Sequence, residues 1–140
     1  MALRRARSLG LTIVGVGVLA AGCGVRDRLK QVETMSNMGS VVIEIKQARE
    51  KKGEPLTDQE VRALIEASPR GHDAWGHPLL YFSKGQGTAL AWVLISPGRD
   101  GRLDLDPTDK YFELQPEEIR GRPARDIVFR NGEVVTNAGN

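Results

Sequence analysis

The sequence predicts an α+β fold: a long helix, a short second helix, then a small antiparallel β-sheet. Apolar residues recur every three or four positions from Val25 to Ile45, which is the period of one helix face. After residue 70 the period shortens, and β-prone runs alternate with glycine-bearing turns. Near the C-terminus, Asn131-Gly132 sits between Ile127-Val128-Phe129-Arg130 and Glu133-Val134-Val135-Thr136. Both turn residues tolerate positive φ, so a type I′ hairpin is expected there. Helices first and strands afterwards is the order of a sheet packed on one long helix.

The first helix is read from Val25, Leu29, Val32, Met35, Met38, Val42 and Ile45 and runs to about residue 50. Ser36-Asn37 and Gly39-Ser40 weaken its middle and mark a place for a kink. Gly53 and Pro55 stop it. Thr57-Asp58-Gln59-Glu60 has the pattern of a capping box, in which Thr57 accepts from the third backbone N–H and Glu60 reaches back. The second helix therefore spans about 58–67, with Val61, Leu64 and Ile65 inward, and ends before Pro69. The β-rich part covers about 78–136, with Leu79 to Phe82 and Ala89 to Ser96 as its first two strands. Pro97 to Pro123 is long, charged and irregular, a stretch that in a compact domain is functional or disordered. Aromatics make up only 5% of the chain, so Trp75 and Trp92 are both expected in the core.

Composition removes several function classes. At 140 residues the chain has room for one core. It holds 20 Lys and Arg against 18 Asp and Glu, but three of the bases, Arg4, Arg5 and Arg7, precede residue 22. The rest is close to neutral, whereas a nucleic-acid-binding domain would spread Lys and Arg over one face. One cysteine excludes an intramolecular disulfide and a multi-cysteine zinc site. No nucleophile elbow, P-loop or dinucleotide fingerprint is present, and the chain reads as non-enzymatic, with no small-molecule substrate. The alternative from another class is a small periplasmic metal-dependent enzyme using His72, Asp73 and His77. Those residues surround an Ala-Trp-Gly turn, without a third suitably spaced zinc ligand.

The first 22 residues read as a secretory signal, with a basic start followed by the charge-free run Leu9 to Ala21. Leu19-Ala20-Ala21-Gly22-Cys23 resembles the lipobox of bacterial lipoproteins, with Ala20 where that pattern prefers Leu. The resemblance implies acylation of Cys23, and a membrane anchor follows because each buried methylene adds about 0.8 kcal/mol. The mature domain, 23–140, is then expected in the cell envelope, facing the periplasm. By the same resemblance, Gly24 after the cysteine, in place of Asp, implies sorting to the outer membrane of a diderm cell. The alternative is an uncleaved N-terminal helix, since Ser8 to Val25 is free of charge.

Taken together, residues 53–64, Asp73-Ala74-Trp75-Gly76-His77-Pro78, Ser96-Pro97-Gly98-Arg99-Asp100-Gly101 and Asp126-Ile127 resemble a type IV pilin, and more narrowly the major pseudopilin of type II secretion (GspG type). Gly53-Glu54-Pro55-Leu56-Thr57-Asp58-Gln59-Glu60-Val61-Arg62-Ala63-Leu64 is similar to the connector of that family, one residue shorter. Asp73-Ala74-Trp75-Gly76-His77-Pro78, followed by Tyr81, resembles its Asp-x-Trp-Gly-x-Pro segment. Ser96-Pro97-Gly98-Arg99-Asp100-Gly101 resembles the mouth of its calcium loop, and Asp126-Ile127 the Asp-Ile that follows. The anchor departs from the family: the apolar run carries no Glu, and Cys23 lies where a pseudopilin's helix would continue. The resemblance implies calcium held by Asp100 and Asp126, with Asp104 and Asp106 also in the loop; calcium takes six to eight oxygens from such loops. It implies partners among secretion or pilus-assembly proteins. The expected mechanism is binding, with calcium stiffening the loop and the exposed sheet and loop forming the docking surface. A true pseudopilin subunit retaining an N-terminal membrane helix is the alternative within this class.

Overall fold

The computed structural model describes residues 14–87, 90–105, 108–114 and 126–135, with side chains from residue 24 onward. The chain is α+β. A 39-residue helix α1 (Val14–Lys52) is followed by α2 (Asp58–Ala67), strands β1 (Leu80–Lys84) and β2 (Ala91–Ser96), a short helix α3 (Lys110–Glu113), and strands β3 (Ile127–Arg130) and β4 (Glu133–Val134). The four strands form one antiparallel sheet in the order β1-β2-β3-β4.

Helix α1 passes through Ser36, Asn37, Gly39 and Ser40 as one uninterrupted helix. Its buried face differs from the stripe expected. Thr34, Met38, Val41, Val42 and Ile45 are buried, whereas Val25, Leu29 and Val32 are 58%, 64% and 66% exposed. The sheet covers only the C-terminal half of this helix, and the first three apolar positions lie beyond its reach.

Helix α2 starts as the local chemistry requires. Thr57 Oγ1 accepts from Glu60 N–H at 3.2 Å, and the Glu60 carboxylate accepts from Thr57 N–H at 2.7 Å. Lys52 at the end of α1 donates to both Glu60 oxygens at 2.9 Å, tying the two helices together. That lysine, and then the Thr57 donors, hold the Glu60 carboxyl down to about 2. Thr57→Ala is expected to cost about 1 kcal/mol, read as a melting temperature about 4 °C lower, because the Glu60 N–H loses its acceptor.

The strands alternate strictly between two cores. Tyr81, Trp92, Leu94, Ile127 and Phe129 face α1 and α2, against Met38, Val41, Ile45, Val61 and Ile65. Leu80, Phe82, Val93, Ile95 and Val128 face the other way. Trp92 is buried, stacks at 5.9 Å on Tyr81 and lies under the Arg49 guanidinium at 5.3 Å. Trp75, expected in the core, is partly exposed, because its turn sits on the rim of the fold. The β3–β4 turn has φ of 52° at Asn131 and 88° at Gly132, as a type I′ hairpin needs. Asn131 also docks the turn onto β2, donating N–H to Trp92 O at 2.9 Å and accepting from Trp92 N–H at 3.0 Å.

The outer face of the sheet is not exposed, contrary to expectation. Leu103, Leu105, Tyr111, Phe112 and Leu114, all from the segment after β2, pack over Val93, Ile95 and Val128. That charged segment therefore serves as the second layer of the domain, and α3 forms within it.

Candidate functional site

Two loops meet beside the end of β2. The first is the turn around Asp73. One carboxylate oxygen, Oδ1, accepts from the N–H groups of Trp75 at 3.0 Å and His77 at 2.8 Å. Asp73 N–H donates to His77 O at 2.8 Å and closes the turn. The other oxygen, Oδ2, accepts from the buried Ser96 hydroxyl at 2.9 Å, and Ser96 Oγ in turn accepts from Gly98 N–H at 3.2 Å. Asp73 thus links the turn to the first residues of the long loop. Thr34 Oγ1 accepts from Ala74 N–H at 3.0 Å, which fixes the same turn to α1 and explains why a threonine is buried there.

The His77 ring lies against Gly101, with Nδ1 3.5 Å from Asp73 Oδ2. Ser96 and His77 therefore approach the same carboxylate oxygen. A hydrolytic triad needs the imidazole between hydroxyl and carboxylate, so that it can take the hydroxyl proton. Here the carboxylate stands between them, and Ser96 donates to it directly. His72 is exposed, and its carbonyl accepts from Asn37 Nδ2 at 3.3 Å. The contacts of this segment are those of a hydrogen-bonded turn.

The second loop leaves β2 at Pro97 and closes on Asp126 at the start of β3. Asp104 and Asp126 bind each other reciprocally: Asp104 N–H donates to Asp126 Oδ2 at 2.8 Å, and Asp126 N–H donates to Asp104 Oδ2 at 3.1 Å. The Tyr111 hydroxyl donates to the same Asp126 Oδ2 and accepts from Leu105 N–H at 3.1 Å. Arg130, on β3, donates to the carbonyls of Phe112 and Leu114 at 2.9 Å each, pinning the far side of the loop.

Electrostatics follow from burial. Asp126 is buried, and desolvation pushes its carboxyl up to about 6; the Asp104 and Asp100 carboxylates push the same way, against the Asp104 N–H and the Tyr111 hydroxyl. Burial, and then the bond to Asp126, raise the Tyr111 phenol well above its ordinary value, so it stays protonated as the donor.

Of the residues expected to hold calcium, Asp104 and Asp126 are brought together, and Asp100 is close enough to be felt by Asp126. Asp100 Oδ1 itself accepts from Arg102 N–H at 3.1 Å within its own turn. Asp106 lies outside the described residues, and Cys23 lies in α1 with its side chain outside them. Among the described residues, no group of three or more His, Cys, Asp or Glu side chains is placed to hold a metal ion. The donors that do converge fit hydrogen-bond closure, with two carboxylates and a phenol between them. Tyr111 had no local signal as a site residue: an aromatic in a charged loop reads as packing, and its partner lies fifteen positions away.

No family model, curated protein or solved structure matches the chain. No described helix is long and apolar enough to cross a membrane.

Proposed function

We propose that the chain is a non-enzymatic, membrane-tethered pseudopilin-like domain that serves type II secretion or a pilus-like assembly by binding other proteins. One observation carries this reading: a long helix is buried by one face on an antiparallel sheet, and the loop that closes on Asp126 covers the other face. The resemblance implies the order of these parts, a long helix, then an antiparallel sheet with an Asp-bearing loop; the cover on the outer face is this chain's own addition. The Asp73 turn supports it further, because its hydrogen bonds give the Asp-x-Trp-Gly-x-Pro residues a structural reason to occur together. The docking surface is the outer side of the 97–114 loop, where Arg99, Asp100, Arg102, Asp104, Asp109 and Lys110 are exposed. Such a mixed-charge surface suits a polar, reversible interface.

A second reading keeps calcium, as the resemblance implies, at the place where Asp104 and Asp126 are brought together. Asp100, Asp104, Asp126 and Asp106 would hold the ion, which would supply the positive charge that neighbouring carboxylates attract.

Two measurements in the source cell test the main reading. Cys23→Ser is expected to abolish labelling of the protein by radioactive palmitate and to release it from the envelope fraction. Deletion of the chain is expected to trap exported proteins in the periplasm. Unlabelled wild-type protein would sink the tether, and an unchanged set of exported proteins would sink the role in secretion.

A further inference from the structure

We propose that the 97–114 loop is closed by a tyrosine clasp, in which the Tyr111 hydroxyl holds Asp126 at the place where the resemblance puts a calcium ion. A cation in such a loop does two things: it places positive charge on buried carboxylate oxygen, and it cross-links chain segments far apart in sequence. The cross-link is made here by the protein's own donors, which meet the carboxylate with O–H and N–H dipoles in place of a full charge. Asp126 Oδ2 receives the Tyr111 O–H and the Asp104 N–H, and Asp104 Oδ2 receives the Asp126 N–H. Leu105 N–H donates to Tyr111 Oη at 3.1 Å, so the hydroxyl is both donor and acceptor. Three segments, 104–105, 111 and 126, are joined at this one group.

The hydroxyl is placed by packing. The Tyr111 ring is 1% exposed and lies in the outer core with Val93, Ile95 and Val128. Its position is thus set by apolar burial that persists with or without an ion. Arg130 reinforces the arrangement by holding the carbonyls of Phe112 and Leu114, on the turn that carries Tyr111. A cation at Asp126 Oδ2 would compete with a buried hydroxyl and an amide, and leaving those donors unpaired is costly. The loop surface is consequently available whether or not calcium is present. This rests on the loop geometry alone, so its failure would leave the proposed secretion role standing, and the reverse holds too.

The test uses the full chain in mild detergent, melted with calcium and with chelator, together with hydrogen exchange at the Asp104 and Leu105 amides. The expected result is one melting temperature in both conditions and slow exchange of both amides in chelator. Tyr111→Phe keeps the ring and removes the hydroxyl; it is expected to lower the melting temperature by about 5 °C in both conditions and to speed exchange at Leu105. Two results would overturn the clasp. One is a calcium-dependent rise in the wild-type melting temperature, lost in Asp126→Asn, with fast exchange of the loop amides in chelator. The other is a Tyr111→Phe chain that melts and exchanges like wild type.

Discussion

Gly71→Ala is expected to lower the melting temperature by about 12–20 °C, or about 3–5 kcal/mol, the range reserved for a change the structure cannot absorb. A Cβ at this position would stand 2.0 Å from the Ile65 carbonyl oxygen, 3.0 Å from its carbon and 3.3 Å from Ser68 O. All three are backbone atoms at the end of α2, so no side-chain rotation relieves the overlap. The backbone is also committed locally: Gly71 N–H donates to Ser68 O at 3.1 Å, and Gly71 O accepts from Leu79 N–H at 2.9 Å. Relief would move α2 away from β1 and pull Val61 and Ile65 from the core. Gly39→Ala is the control, because a Cβ there meets nothing within 4 Å, and in a helix it is expected to add about 0.5–1 kcal/mol. Circular-dichroism melts of the two variants decide it: a Gly71→Ala chain melting within about 2 °C of wild type would show that α2 does not approach the turn this closely.

Acidification from pH 7 to pH 5 is expected to stabilise the domain, by about 1.4 kcal/mol through Asp126 alone. The folded-state carboxyl titrates near 6, above its ordinary 3.8, because burial penalises its charge. A raised folded value means that the native state binds the proton more tightly than the unfolded chain. Its contribution is therefore complete below about pH 4 and is lost as the pH rises through 6. Glu60 acts in the opposite sense: its carboxyl is held down to about 2, so the stability it lends is lost as the pH falls below the ordinary carboxylate range. The two slopes predict an optimum on the acid side of neutrality, at about pH 4–5. Urea unfolding at pH 7, 6 and 5 measures the slope, and Asp126→Asn is expected to remove it. Stability that falls steadily from pH 7 to pH 5, in wild type and variant alike, would contradict the buried charge.

The parts of this fold that were legible in the sequence are the local ones. The Thr57–Glu60 capping box and the Asn131-Gly132 turn each depend on residues within four positions, and each is found as its pattern requires. The helix period was also visible, but a period does not say which face is covered. Val25, Leu29 and Val32 recur at steps of three and four just as Met38, Val41 and Ile45 do; only the sheet distinguishes them, by burying the second set. Thr34 could not be recognised as buried, because its partner, the Ala74 N–H, is forty residues away. The charged composition of the 97–114 segment concealed its role as an apolar cover, since Leu103, Leu105, Tyr111, Phe112 and Leu114 are spread among charges. In the candidate site, Asp126 came from a family resemblance and not from spacing. Tyr111, which gives that carboxylate its buried donor, became visible only when the loop was seen to close.

The unburied N-terminal part of α1 sets a standoff. From Cys23 to Thr34, the first buried residue of the helix among those whose side chains are described, is eleven residues, or about 16 Å at the helical rise. With Cys23 acylated as proposed, the globular part rides on a stiff stalk in place of a limp linker. A flexible tether of the same length would let the domain tumble and sweep a hemisphere of space. One exposed ion pair, Arg99 with Asp27 at 3.1 Å, joins the long loop to this part of the helix. On the proposed anchor, the distance from the acyl chains to the loop would be set by the helical rise and not by the reach of a random coil.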